Sequence, residues 1–248
     1  MKVALLNKPK EILISEREKP VPRENQVLIK IRYMGICGTD GKIFDGGIPS
    51  NTPVIMGHEA VGEIITGQTN KGGVPGDFVI IDPVLYCSNC FYCKRNETHL
   101  CENGALMGRD VNGLFSEYVV VPTSNVFLLD NKINLKMAPL IQVMTTVLHS
   151  QNRANITSGE VVVVLGLGVT GLLQIQVAKA LGAKSVIGVS RNPFKRELAE
   201  SMGADFTADH GIEAKNRTLE ITGGRGADVV IESVGYLKVL AEAIDLSR

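Results

Sequence analysis

The sequence has no excess charge of either sign, since Lys+Arg and Asp+Glu both total 26. No net field therefore draws it to nucleic acid or to an anionic membrane. It also lacks any apolar run approaching the roughly 20 residues of a bilayer-spanning helix. The apolar stretch within residues 1–20 is too short and too interrupted by charge to read as a secretory signal. Internal repeats and low-complexity tracts are missing as well. What remains is 248 residues, 44% of them hydrophobic, enough for a sizeable core and, by length, for two domains rather than one. The chain is expected to be soluble and cytoplasmic, in a compartment that keeps its five cysteines reduced.

The pattern changes near residue 150. Before it, short apolar runs at 26–32, 60–66, 78–82 and 117–122 alternate with Gly, Pro, Asn and Asp turns, as in an irregular β-rich domain. Residues 135–154 have helical character and carry the chain across. After them comes Val161–Leu165, a continuous β-branched run of the kind buried on both faces of a parallel sheet. Domains 1–150 and 151–248 are expected.

Four of the five cysteines sit together as Cys87-Ser-Asn-Cys90-Phe-Tyr-Cys93 and then Cys101. Cysteines this close cannot all pair comfortably as disulfides. A redox cluster or chance clustering is the bland reading. Four thiolates at short spacing better suit a tetrahedral Zn²⁺ with no open position, a structural site in a lobe spanning 84–104. The fifth cysteine lies in Gly35-Ile36-Cys37-Gly38-Thr39-Asp40, and about twenty residues on comes Gly57-His58-Glu59-Ala60-Val61-Gly62. Cys37, His58 and Glu59 offer one thiolate, one imidazole and one carboxylate, the ligand types of a catalytic zinc that keeps a position free. Alone, each would more often be a core or surface residue. His99, His149 and His210 are read as packing or surface residues, because the ligand sets fill without them.

The 161–165 run ends in Gly166-Leu167-Gly168-Val169-Thr170-Gly171, with a helical period over 172–182. Placed between a buried strand and a helix, this Gly-x-Gly-x-x-Gly predicts a dinucleotide site, with pyrophosphate on the helix N-terminus. A second strand follows at Ser185–Val189. Its end should carry an Asp or Glu for the ribose 2′-hydroxyl of NAD; instead it offers Ser190, Arg191 and Asn192, with Lys195 and Arg196 behind. No acid occurs from Lys184 through Arg196, and a planar guanidinium suits a 2′-phosphate, so NADP(H) is expected over NAD(H). Further strands are expected at 204–207 and 228–232.

Gly-Ile-Cys-Gly-Thr-Asp, Gly-His-Glu-Ala-x-Gly, Pro75-Gly76-Asp77 and the four-Cys lobe, in this order, resemble the zinc-containing medium-chain alcohol dehydrogenases. The likeness runs along essentially the whole chain and looks closest to the polyol, sugar and secondary-alcohol branches. It implies an α/β protein: a GroES-like β-rich catalytic domain followed by a Rossmann cofactor domain. It implies hydride transfer between an alcohol or carbonyl substrate and a nicotinamide that the second domain delivers. Zinc at Cys37 and His58, with Glu59 as a direct or exchangeable ligand, would polarise the alcohol oxygen, and Thr39 would begin the proton relay. Asp40 would buttress the Cys37 turn. The parent protein would be a homo-oligomer.

Four departures qualify the resemblance, one of them a loop after Gly62 that is a residue shorter than the usual pattern and is assigned to turn geometry. Gln142 stands where the family commonly has another anionic zinc ligand, so it is read as a ligand or an outer neighbour of the zinc. Lys42 stands where a relay histidine is common, so the relay is expected to end in water. Four strand candidates follow residue 160 where the complete fold has six. The cofactor domain is therefore expected to be C-terminally incomplete. The alternative is a nucleotide-binding protein that keeps the fold and the structural zinc without the chemistry.

Overall fold

A computed structural model describes residues 1–248, which form two compact units, Met1–Gln142 and Val143–Arg248. The first opens with a hairpin of β1 (Lys2–Lys8) and β2 (Glu11–Glu16), with β4 (Val54–Ile55) on the other side of β1. This hairpin is not foreseen from sequence, because its apolar runs, Val3–Leu6 and Ile12–Ile14, are short and bounded by lysines and glutamates. The main sheet has the order β10 (Val126–Leu128), β6 (Phe78–Ile81), β5 (Glu59–Thr66), β3 (Gln26–Gly35), β9 (Tyr118–Pro122), and every pair is antiparallel. Val27, Ile29, Ala60, Ile64, Val79 and Ile81 meet in its core with Leu114 and Val121. A short helix, α1 (Gly38–Phe44), follows β3, and the ribbon of β7 (Val84–Leu85) and β8 (Ala105–Leu106) brackets the four-cysteine segment.

The linking helix, α2 (Leu140–Ala154), starts five residues later than the expected 135. Pro139 cannot give an N–H to a preceding turn and biases Ala138 away from helical backbone. The break between the two units falls inside this helix.

The second unit is a parallel sheet in the order β13 (Phe206–Ala208), β12 (Ser185–Val189), β11 (Val161–Leu165), β14 (Val229–Glu232). All five residues of β11 are buried. Alternation sends Val162 and Val164 to one face, against α3 (Val169–Ala180) and α4 (Pro193–Ser201) through Leu172, Ile175 and Ala199. Val161, Val163 and Leu165 go to the other, against α5 (Ile212–Thr222) and α6 (Leu237–Leu246) through Ala214, Ala243 and Leu246. A strand covered on both faces needs no polar side, which is why its sequence shows none. No helix is long and apolar enough to cross a membrane.

Candidate active site

Antiparallel pairing of β3 with β5 sets Gly35 opposite Glu59 and Met34 opposite Ala60. The chain leaving β3 at Cys37 thus meets the chain entering β5 at His58 and Glu59, although some twenty residues separate them in sequence. Glycine at position 35 leaves room for the Glu59 carboxylate, since a Cβ there would run into Glu59 Oε2 and push it from its place. Gly57 has φ of +90°, and a Cβ on it would overlap the Phe115 ring, so the turn that aims His58 is closed to other residues. Ligand atoms of Cys37, His58 and Glu59 all lie within 4.8 Å of one another. His58 and Glu59 are buried and Cys37 is half-buried.

Cys37 also starts α1. Its Sγ accepts from the Thr39 N–H at 3.4 Å, and its own N–H donates to Asp40 Oδ2 at 2.8 Å, a reciprocal cap with sulfur in the usual place of a hydroxyl. The other Asp40 oxygen lies 3.2 Å from His58 Nδ1 without the alignment of a hydrogen bond. Burial opposes a charged imidazole, but Asp40 and Cys37 beside it outweigh burial and raise the His58 pKa to about 10. A thiol, an imidazole and two carboxylates gathered out of water with buried polar atoms unpaired are a donor set that a divalent cation fits. Thr39 is half-buried on α1, Lys42 is exposed on the same helix, and Gln142 is half-buried in the first turn of α2.

The four remaining cysteines converge independently. Cys87 and Cys93 sulfurs are 4.0 Å apart, Cys90 and Cys101 4.0 Å, and Cys101 and Cys87 3.5 Å, and none is in a disulfide. A tetrahedral zinc with Zn–S bonds of about 2.3 Å sets its sulfurs about 3.8 Å apart, so the spacing fits. Backbone N–H groups of Asn89 and Cys90 pull the Cys87 thiol down to about 6, while burial pushes Cys93 up to about 12.

In the second unit each motif glycine has its own reason. Gly166 turns at φ +93°, which β-carbon-bearing residues resist. At Gly168 a Cβ would meet nothing within 4 Å, leaving open space over the backbone. A Cβ on Gly171 would be driven into the Gly166 carbonyl, so this glycine lets α3 pack on the turn. Gly168 is the cap of α3 and offers no side chain to its first N–H groups. That cradle fits a phosphate. Val169 is exposed and Thr170 half-buried in the first turn, whereas the Leu167 side chain is buried in the core, so only its backbone can face a ligand. At the end of β12 Ser190 is buried, Arg191 and Lys195 are exposed, and Arg196 Nη1 donates to the Ser190 carbonyl at 2.6 Å.

Residues 23–131 match the alcohol dehydrogenase GroES-like domain, and residues 169–248 match the zinc-binding dehydrogenase family. The chain belongs to the zinc-containing medium-chain alcohol dehydrogenases. It is 37% identical to L-threonine 3-dehydrogenase of Pyrococcus furiosus over 239 residues, covering 92% of this chain and 67% of that protein. A zinc-binding dehydrogenase of Sinorhizobium meliloti 1021, solved bound to NADP, superposes with a TM-score of 0.91 at 31% identity, over 100% of this chain and 73% of that one. A dehydrogenase of Escherichia coli CFT073, solved with NADH, superposes with a TM-score of 0.91 at 30% identity, again over 100% of this chain and 73% of that one. This medium-chain dehydrogenase is thus a zinc-dependent oxidoreductase of GroES-like and Rossmann architecture. Sequence reasoning gave Asp40 one task, whereas its carboxylate touches both Cys37 and His58. It missed Gly35, whose lack of a side chain shows its purpose only once the strand pairing is known.

Proposed function

We propose that the chain transfers a hydride between a small alcohol (a polyol, a sugar or a secondary alcohol) and NADP(H), using one reactive and one structural zinc. The observation that carries the reading is the meeting of half-buried Cys37 with buried His58 and Glu59, their ligand atoms within 4.8 Å of one another. These three would hold the reactive ion, with Gln142 as a neutral further ligand or outer neighbour, and Cys87, Cys90, Cys93 and Cys101 would hold the structural one. When bound, the reactive ion supplies Lewis acidity that lowers the pKa of an alcohol oxygen, and the nicotinamide supplies the hydride acceptor.

The chain's own residues do the rest. Asp40 fixes Cys37 through its N–H and orients His58 from the other side, as carboxylates behind metal-bound histidines do. Thr39, two residues from Cys37, takes the alcohol proton at its hydroxyl and passes it to solvent, since exposed Lys42 stands where a histidine would continue the path. The backbone over Gly168, with Val169, Thr170 and Gly171, takes the pyrophosphate. Ser190, Arg191 and Lys195 take the 2′-phosphate, with no acid between Lys184 and Arg196 to repel it.

Zinc per chain by elemental analysis, together with titration by NADPH and NADH, tests this. Two zinc ions, one of them lost on Cys37→Ser, and tighter NADPH binding are expected. A single zinc unaffected by Cys37→Ser would leave only the four-cysteine site and remove the catalytic reading. A preference for NADH would overturn the cofactor assignment alone.

A further inference from the structure

Ser233 directly follows β14 and belongs to no motif, yet its hydroxyl lies 2.9 Å from the Leu165 carbonyl and 2.9 Å from the Gly166 carbonyl. Its backbone N–H also donates to Leu165 at 3.0 Å. Both carbonyls belong to the point where β11 becomes the glycine turn. A trans peptide is planar, with its C=O and N–H pointing opposite ways. Holding the Gly166 oxygen toward Ser233 therefore turns the Leu167 N–H away from it. That N–H has no acceptor within the chain, and Gly168 beside it opens on empty space. Gly166, at φ +93°, is the residue best able to rotate away from this orientation, because glycine alone explores such backbone freely.

We propose that Ser233 is a positioning residue for the pyrophosphate: its hydroxyl locks the Gly166 peptide so that the Leu167 N–H joins the α3 N-terminus in facing the ligand. The inference rests on the dinucleotide reading of this turn. Ser233 reaches the ligand only through the turn, so its removal should be felt by any ligand that puts a diphosphate there and by no other.

The test compares wild type with Ser233→Ala, titrated with NADPH, ADP and adenosine 2′-monophosphate, which lacks a diphosphate. Loss of one hydroxyl bond should weaken NADPH and ADP about fivefold each and leave adenosine 2′-monophosphate unchanged. An equal loss for all three ligands, as general damage to the fold would give, overturns the proposal, and so does no loss for any. Wild type that takes up neither NADPH nor NADH would instead overturn the dinucleotide reading, and the role of Ser233 with it.

Discussion

Gly168 and Gly171 stand three residues apart in one motif, and alanine at each should fail in opposite ways. At Gly168, φ of −79° and ψ of −172° suit alanine. Replacing glycine at such a site stabilises by about 0.4–1 kcal/mol through the unfolded chain. Alanine is a poorer helix cap than glycine by a comparable amount. The two nearly cancel, so Gly168→Ala should shift Tm by no more than about 2 °C. Its methyl group, however, occupies the space where the backbone would approach a pyrophosphate, and the overlap should cost roughly tenfold to a hundredfold in NADPH affinity. At Gly171 the methyl is driven into the Gly166 carbonyl, and neither is the loose end of a side chain. Overpacking of this kind costs about 1–3 kcal/mol, or a fall of roughly 2–12 °C in Tm. Thermal melts and NADPH titrations on the two variants separate these effects. A Gly168→Ala protein that binds NADPH like wild type would refute the cradle, and a Gly171→Ala protein with unchanged Tm would refute the packing argument.

Cys101→Ser should remove one zinc equivalent and expose the 84–104 lobe to protease, with NADPH binding unchanged; an unaltered zinc content would rule out the four-sulfur site. Arg191→Ala should weaken NADPH by roughly tenfold to a hundredfold and leave NADH alone, since a hydrogen-bonded charge pair contributes about 1.5–3 kcal/mol. Equal losses for both cofactors would remove Arg191 from the 2′-phosphate site. The Arg109 side chain holds the Asp110 carboxyl below its ordinary value of 3.8, and Asp110 accepts the Leu106 N–H at 2.8 Å. A lowered folded-state pKa means this stability is present above 3.8 and is lost as pH falls through the folded-state value. Hydrogen exchange at Leu106 should therefore lose protection in acid, and Asp110→Asn should abolish that step.

Two strands of the second unit, β11 and β12, could be read from sequence because they are short, almost wholly buried and separated by a helix. Val161–Leu165 and Ser185–Val189 have the same bounds in the sequence reading and in the fold. The meeting of the four cysteines was legible for a different reason: their spacing lies within one loop, and such spacing is local. Features that depend on partners far along the chain were not legible. The short helix α1 contains two glycines and exists because Cys37 and Asp40 cap it, which no propensity reports. Ser233 acts on residues 67 and 68 positions earlier, and nothing around it in sequence marks the contact.

The strand order β13-β12-β11-β14 has a consequence in time rather than in space. The centre of the sheet is its first strand to be made, and one of its two neighbours, β14, begins at Val229, 64 positions after β11 ends at Leu165. At synthesis rates of about 5–20 residues per second, that neighbour arrives roughly 3–13 s later. Through that interval Val-Val-Val-Val-Leu presents one unpaired edge, a run of high β-propensity without charge. The birth of this domain is thus its most vulnerable moment. The glycine turn, which Ser233 contacts, cannot take its final form until β14 and the residue after it have been made.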